Sequence, residues 1–309
     1  MGRHRWRLIA YVGLAVLVML NAVLIGRLLG FFGDPWAHLA SGQASTSDGA
    51  GSPSGEATTP GEPGTPSSAA TATEADVVEE RRLLAVADEV TGWRATTGAC
   101  GVPGALERSV DGGATWEPVP VDLAPLTRLR VLEDGTVAAV GGDAGCLPRY
   151  LTSADGVWED RPDLLVGSWY LMPAGASRVM TPLGETDAPC TEGALGLVAV
   201  DVSRAAALCQ DGSVLRSVDS GASWAPMTVD GPVLAVGADS QGYVLAGRSP
   251  SCEGIAVTSS TPDETTGAAV GCAPLTAADD EVAVARAGAA VWLWAAGEAA
   301  VSIDGGATW

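Results

Sequence analysis

"RSVDGGATW", Arg108–Trp116, decides the fold of this 309-residue chain. It returns as "RSVDSGASW" at Arg216–Trp224 and as "VSIDGGATW" at Val301–Trp309. A short Asp side chain followed by Gly reads as a turn. The carboxylate accepts hydrogen bonds from turn amides, and Gly adopts backbone angles that a Cβ forbids. Outward from the three copies, helical periodicity is absent. Short apolar runs such as "TVAAVGG", "VLAVGADS" and "VWLWAAG" end in Gly, Asp or Ser, which is a strand-and-turn pattern. "EDGTV" and "QDGSV" set Asp-Gly between apolar runs, a hairpin signal.

Spacing turns these strands into an architecture. "TSADGVW" around Asp155 is a shortened copy and "SSTPDET" around Asp263 a degenerate one. Asp111 to Asp155, Asp219 to Asp263 and Asp263 to Asp304 are nearly equal intervals. Their period fits one four-stranded propeller blade of roughly 40–50 residues. The interval from Asp155 to Asp219 is longer, more than one blade and less than two. The expected fold is therefore all-β, a β-propeller of five to six four-stranded blades over 81–309. The last blade then lacks its outer strand, and a strand from about Asp76 to Leu84 is expected to complete it.

Ser-x-Asp-x-Gly-x-Thr-Trp resembles the Asp-box, or BNR repeat, of the sialidase-like β-propellers. The matching residues are Ser109, Asp111, Gly113, Thr115 and Trp116; Ser217, Asp219, Gly221, Ser223 and Trp224; and Ser302, Asp304, Gly306, Thr308 and Trp309. The resemblance implies hairpins between the third and fourth strands of blades, at the periphery of the wheel. There the Asp residues brace turns and carry no reaction. A calcium loop is the weaker reading, because one carboxylate per turn is too few for a cation that takes 6–8 oxygens. No metal or other cofactor is expected.

The formal net charge is −20, and all 17 basic residues are Arg. An acidic chain of this kind lacks the basic footprint that nucleic acid requires. The two His residues, His4 and His38, precede the body, so no histidine base or ligand is available within it. Residues 1–7 are basic. Leu8–Ile25, "LIAYVGLAVLVMLNAVLI", carries no charge along its whole length. With residues up to Phe32 it is long enough for a signal-anchor helix over 8–32, and Arg3, Arg5 and Arg7 place the N-terminus in the cytoplasm. A cleaved signal peptide is the alternative. Residues 33–80 are rich in Ser, Thr, Pro and Gly and read as a disordered stalk.

Six Cys, namely Cys100, Cys146, Cys190, Cys209, Cys252 and Cys272, all lie in the body, as expected of disulfides in an extracytoplasmic domain. Cys100, Cys190 and Cys252 precede Asp111, Asp201 and Asp263 by one and the same offset, which suggests a common repeat position. Spacing favours the pairs 190–209 and 252–272, leaving 100–146, among 15 connectivities.

Catalytic residues are not identified. Sialidase-like hydrolysis, as the resemblance describes it, needs three Arg, a Tyr nucleophile with a Glu partner, an Asp acid and an Arg-Ile-Pro motif. Arg-Ile-Pro is absent. Tyr150, Tyr170, Tyr243 and Arg94, Arg149, Arg178 and Arg248 fall in no matching context. Glu133–Asp134 reads as a hairpin turn and Asp279–Asp280–Glu281 as a charged loop. Arg128 and Arg130 alternate in "LTRLRV" and share a strand face, where they either bind an anion or face solvent. Trp93 and Trp169 lie outside the repeat phrase. So do Trp292 and Trp294, which share a face and either pack between blades or meet a ligand. The expected protein is a single-pass membrane protein whose propeller binds an unknown protein or glycan ligand, or scaffolds one, outside the cell membrane. A sialidase-like exo-glycoside hydrolase is the alternative.

Overall fold

The computed structural model describes residues 81–309, and the expected basic tail, membrane helix and stalk lie outside them. Among the described residues no helix is long and apolar enough to cross a membrane. The strands form six antiparallel sheets. Blade 1 holds β1 (Arg82–Val86), β2 (Gly92–Thr96), β3 (Leu106–Ser109) and β4 (Glu117–Pro118). Blade 2 holds β5 (Leu126–Val131), β6 (Val137–Gly142), β7 (Pro148–Ser153) and β8 (Glu159–Asp160). Blade 3 has β9 (Tyr170–Leu171), β10 (Arg178–Thr181) and β11 (Gly184–Asp187). Blade 4 has β12 (Ala194–Ala199), β13 (Ala205–Cys209), β14 (Val214–Ser217) and β15 (Ala225–Met227). Blade 5 has β16 (Val233–Asp239), β17 (Gly242–Ser249), β18 (Cys252–Ser260) and β19 (Ala268–Ala273). Blade 6 has β20 (Val282–Ala287), β21 (Ala290–Ala295) and β22 (Glu298–Ser302).

The innermost strands touch in one closed circuit, β1 to β5, β9, β12, β16, β20 and back to β1. Each blade is apolar on both faces because it is sandwiched between two others. β6 and β21 are buried along their whole length. Their Ala and Gly residues let neighbouring sheets approach. Six apolar cores result, one per blade interface. Leu106 and Leu129 meet between blades 1 and 2, Tyr150 and Tyr170 between 2 and 3, and Val179 and Ala207 between 3 and 4. Leu208 and Leu245 meet between blades 4 and 5, Val257 and Leu293 between 5 and 6, and Trp292 and Val86 between 6 and 1. The molecule is a six-bladed β-propeller.

One expectation about strand order needs correction. Residues 82–86 do not complete the last sheet; they are the inner strand of blade 1. Blade 6 has three strands among the described residues, and its seam with blade 1 is closed by side chains. Trp116 meets Trp292 edge-on at 6.3 Å, while Arg82 and Arg94 stack on Trp294 at 4.7 and 4.9 Å. Cation–π contacts of this kind add to the packing of the seam. Trp292 and Trp294 therefore pack between blades.

The long interval from Asp155 to Asp219 is explained by blade 3. Its first strand, β9, runs opposite to the inner strands beside it. Trp169, before β9, donates its Nε1–H to the Asp201 carbonyl beyond the end of β12. Ala176, after β9, accepts from the amide of Ala194, where β12 begins. β9 thus holds a second-strand position, β10 the third and β11 the fourth. The inner strand is missing. Residues 161–168 make a 3-10 turn at Pro162–Leu164 instead, and Leu164 and Leu165 pack into the core between blades 2 and 3.

Strand polarity divides the wheel into two faces. One carries the first-to-second and third-to-fourth hairpins, the other the second-to-third turns and the crossovers between blades. All three disulfides lie on the second face. They join Cys100–Cys146, Cys190–Cys209 and Cys252–Cys272, with Cα atoms 5.7, 5.4 and 5.6 Å apart. Cys100–Cys146 links blade 1 to blade 2. The shared Cys-to-Asp offset does not mark a common repeat position: Cys100 and Cys252 stand ahead of, or open, third strands, whereas Cys190 precedes the inner strand of blade 4.

Candidate functional site: the hairpin face and the axial channel

Every third strand ends in a buried hydroxyl at the hairpin face: Ser109, Ser153, Thr181, Ser217, Ser260 and Ser302. In three blades this hydroxyl opens the repeated phrase. Ser109 Oγ donates to Asp111 Oδ1 at 2.8 Å and accepts from the Gly113 amide at 2.9 Å. Thr115 donates its amide to Asp111 Oδ1 at 2.9 Å and its hydroxyl to Oδ2 at 2.6 Å. Ser217, Asp219, Gly221 and Ser223 repeat the pattern, as do Ser302, Asp304, Gly306 and Thr308. These bonds stabilise the charged carboxylate. The Thr115 hydroxyl first, then its amide, hold Asp111 below the usual carboxylate range; Ser223 does the same for Asp219. Thr308 and then Ser302 bring Asp304 down to about 2.

Gly is required at the fifth position twice over. Gly113 has φ +83°, and a Cβ there would lie 2.7 Å from the Ala299 Cβ of blade 6. Gly221, at φ +92°, would meet Thr181 of blade 3 at 2.8 Å. The Trp of the phrase packs backward too: Trp116 on Trp292 and Trp224 on Trp169 at 5.8 Å. Each phrase therefore ties its hairpin to the preceding blade. The degenerate copies occupy the same hairpins with different bonds. Ser153 accepts from the Gly156 amide, and Asp263 pairs with Arg204. Thr181, the counterpart in blade 3, carries no Asp-Gly phrase and escaped the sequence reading.

The second residue of the phrase points out. Val110, Val218 and Ile303 are 60%, 47% and 71% exposed. Val157 and Leu183, on the hairpins of blades 2 and 3, are each 68% exposed. Five of the six blades thus present a large apolar side chain on this face, each on its own hairpin, while Val102 and Leu147 are exposed on the other face.

An axial cavity of about 960 Å³ runs inside the ring of inner strands. At the disulfide face Arg81, just ahead of β1, reaches across it and donates to the carbonyls of Ala194 and Leu195. Arg82 pairs with Glu281 at 3.3 Å, and Arg286 with Asp239 at 2.6 Å near the hairpin face. Arg128 and Arg130 of β5 line the cavity. Arg128 is 8% exposed and donates to the Trp169 carbonyl. Burial, and then the charge of Arg130, push its guanidinium down to about 10. The sequence pattern placed these two cations on one face, and the structure brings both to the channel.

The other candidates fall elsewhere. Tyr150, Tyr170 and Tyr243 are buried between blades and do not line the cavity. Burial raises the phenols of Tyr170 and Tyr243. Asp134 accepts from the Thr136 amide in a hairpin, Asp279 pairs with Arg248, and Glu281 with Arg82. Arg94 pairs with Glu107, Arg149 with Asp122 and Asp160, and Arg178 with Glu185 and Asp187. Trp93 is buried in the core between blades 1 and 2. Among the described residues no group of His, Cys, Asp or Glu is arranged to hold a metal ion.

No family model and no curated protein matches the sequence. Solved structures are similar at low identity. YCF48 from Cyanidioschyzon merolae is 17% identical over 75% of this chain and 84% of its own, with a TM-score of 0.38. The GH74 xyloglucanase from Xanthomonas campestris is 20% identical over 74% of this chain, with a TM-score of 0.31, and the match spans 37% of the xyloglucanase. The Aleuria aurantia lectin in complex with alpha-methyl-L-fucoside is 11% identical over 75% of this chain and 96% of its own, with a TM-score of 0.42.

Proposed function

We propose that the chain is a non-catalytic binding module, an Asp-box β-propeller that docks a protein partner on its hairpin face outside a cell membrane. The observation that carries this reading is the set of exposed apolar residues on five hairpins of one face. Side chains of this kind become the buried centre of a protein interface. Pairing of all six Cys supports an oxidising compartment. The uncharged stretch Leu8–Ile25, with three Arg before it, supports a single-pass anchor with its N-terminus inside. The bonding of the three Asp residues supports the Asp-box assignment and a bracing role for them. Sialidase-like hydrolysis is disfavoured, since no body Tyr reaches the cavity.

The test is capture from membranes by the full chain and by the triple variant Val110→Asp, Val218→Asp, Ile303→Asp. A partner retained by the native chain and lost by the folded variant is expected. Equal capture by both, or turnover of a fluorogenic sialoside, overturns the reading.

A further inference from the structure

We propose that the axial channel takes an extended acidic peptide, laid along the inner-strand place that blade 3 leaves empty and held through its carboxylates by Arg128 and Arg130. The inference rests on the protein-binding reading and names the chemistry of the segment bound.

The empty place is a backbone feature. β9 is a second strand, yet it lies at the inner edge of its sheet. The Met172 amide donates to the Arg178 carbonyl at 3.0 Å. Alternation along an antiparallel ladder then turns the N–H and C=O of Leu171 away from β10 and toward the channel. An added strand bonds this edge at Leu171, since the Trp169 carbonyl on the same side is taken by Arg128. Leu171 lines the cavity, as do Arg128 and Arg130 on the neighbouring strand β5.

Charge selects the occupant. Arg82 and Arg286 are neutralised by Glu281 and Asp239. Among the described residues, no carboxylate pairs with Arg128 or Arg130. Glu133 and Glu192 also line the cavity, and both are exposed. Arg128 spends one donor on the Trp169 carbonyl. A buried guanidinium beside a second cation, with no counter-charge, is costly, and a bound carboxylate removes that cost. The planar fork of Arg suits a carboxylate bidentately. In an extended chain alternate side chains share one face, so acidic residues two apart can meet both cations while the main chain pairs with β9.

The experiment titrates the full chain in detergent with acetyl-(Val-Glu)₃-amide by calorimetry. Saturable one-to-one binding is expected. Replacing Glu by Gln in the peptide should weaken it by about tenfold or more, the scale of a lost charge-assisted hydrogen bond. N-methylation of alternate amides should weaken it as well, because it removes the strand pairing. Arg130→Gln should reproduce the loss with an unchanged Tm, since that side chain is exposed and unpaired; Arg128→Lys, which keeps the charge, should bind more weakly than native. Three results overturn the proposal: no binding, equal binding of the Gln peptide, or full competition by inorganic phosphate at equal concentration. If the peptide fails while the hairpin variants still abolish capture, only this inference falls. If both fail, the protein-binding reading falls with it.

Discussion

Each Asp of the repeated phrase accepts hydrogen bonds on both carboxylate oxygens from its own hairpin. The three hydroxyl–carboxylate–amide clusters are alike because the same five residues recur at the same offsets. Their ionised form is favoured in the folded state, so folding is linked to pH. A carboxylate whose folded value is depressed contributes stability that is complete above its unfolded value of 3.8 and is lost as pH falls through its folded value. For Asp304 that window runs from 3.8 down to about 2. Thermal melts between pH 5 and pH 2 should show Tm falling across this window. Asp304→Asn should start lower and fall less steeply. An unchanged slope in that variant would deny the clasp its role. The hairpin phrase was legible in sequence because its bonds are local. Thr181 was not, since a lone buried hydroxyl ahead of Pro182 has no signature.

At the scale of elements, the blades are held by what they bury between them. Strands such as β21, "AVWLWA", read as buried because they are apolar without alternation. Which blade covers them is a matter of ring closure. Trp292 is fully buried, donates to the Asp88 carbonyl at 2.9 Å and meets Trp116 across the seam of blades 6 and 1. Trp292→Ala should cost about 3–5 kcal/mol, the usual range for emptying such a site. Urea denaturation followed by circular dichroism measures it. A loss under about 1 kcal/mol would mean that the seam is not closed by this packing. Blade 3 is the element that spacing could not resolve. The overlong interval after Asp155 said only that something was shortened; hydrogen bonds at both ends of β9 showed that the inner strand was the one removed.

The whole molecule is a wheel with unlike faces, one braced by polar hairpins and bearing apolar tips, the other stapled by three disulfides. Cys100–Cys146 spans blades 1 and 2 and closes a loop of 46 residues. The double change Cys100→Ser, Cys146→Ser should lower stability by about 2–4 kcal/mol. It should leave hairpin-face capture intact, because the bridge lies on the other face. The comparison is a denaturation curve beside the capture assay. Loss of capture in a folded double variant would break the separation of faces.

The amino-acid sequence by itself determined the strands, the hairpin phrase and the approximate blade period, and its spacing favoured the disulfide pairs that the structure contains. These depend on neighbours in the chain or on regular spacing along it. Tertiary structure alone decided that there are six blades, which strand blade 3 lacks, and that β1 belongs to the first sheet. It also decided that two arginines of β5 line an axial channel with no carboxylate paired to either among the described residues. Those facts depend on how sheets far apart in sequence close into a ring, and no local pattern encodes the direction in which a strand runs past its neighbour.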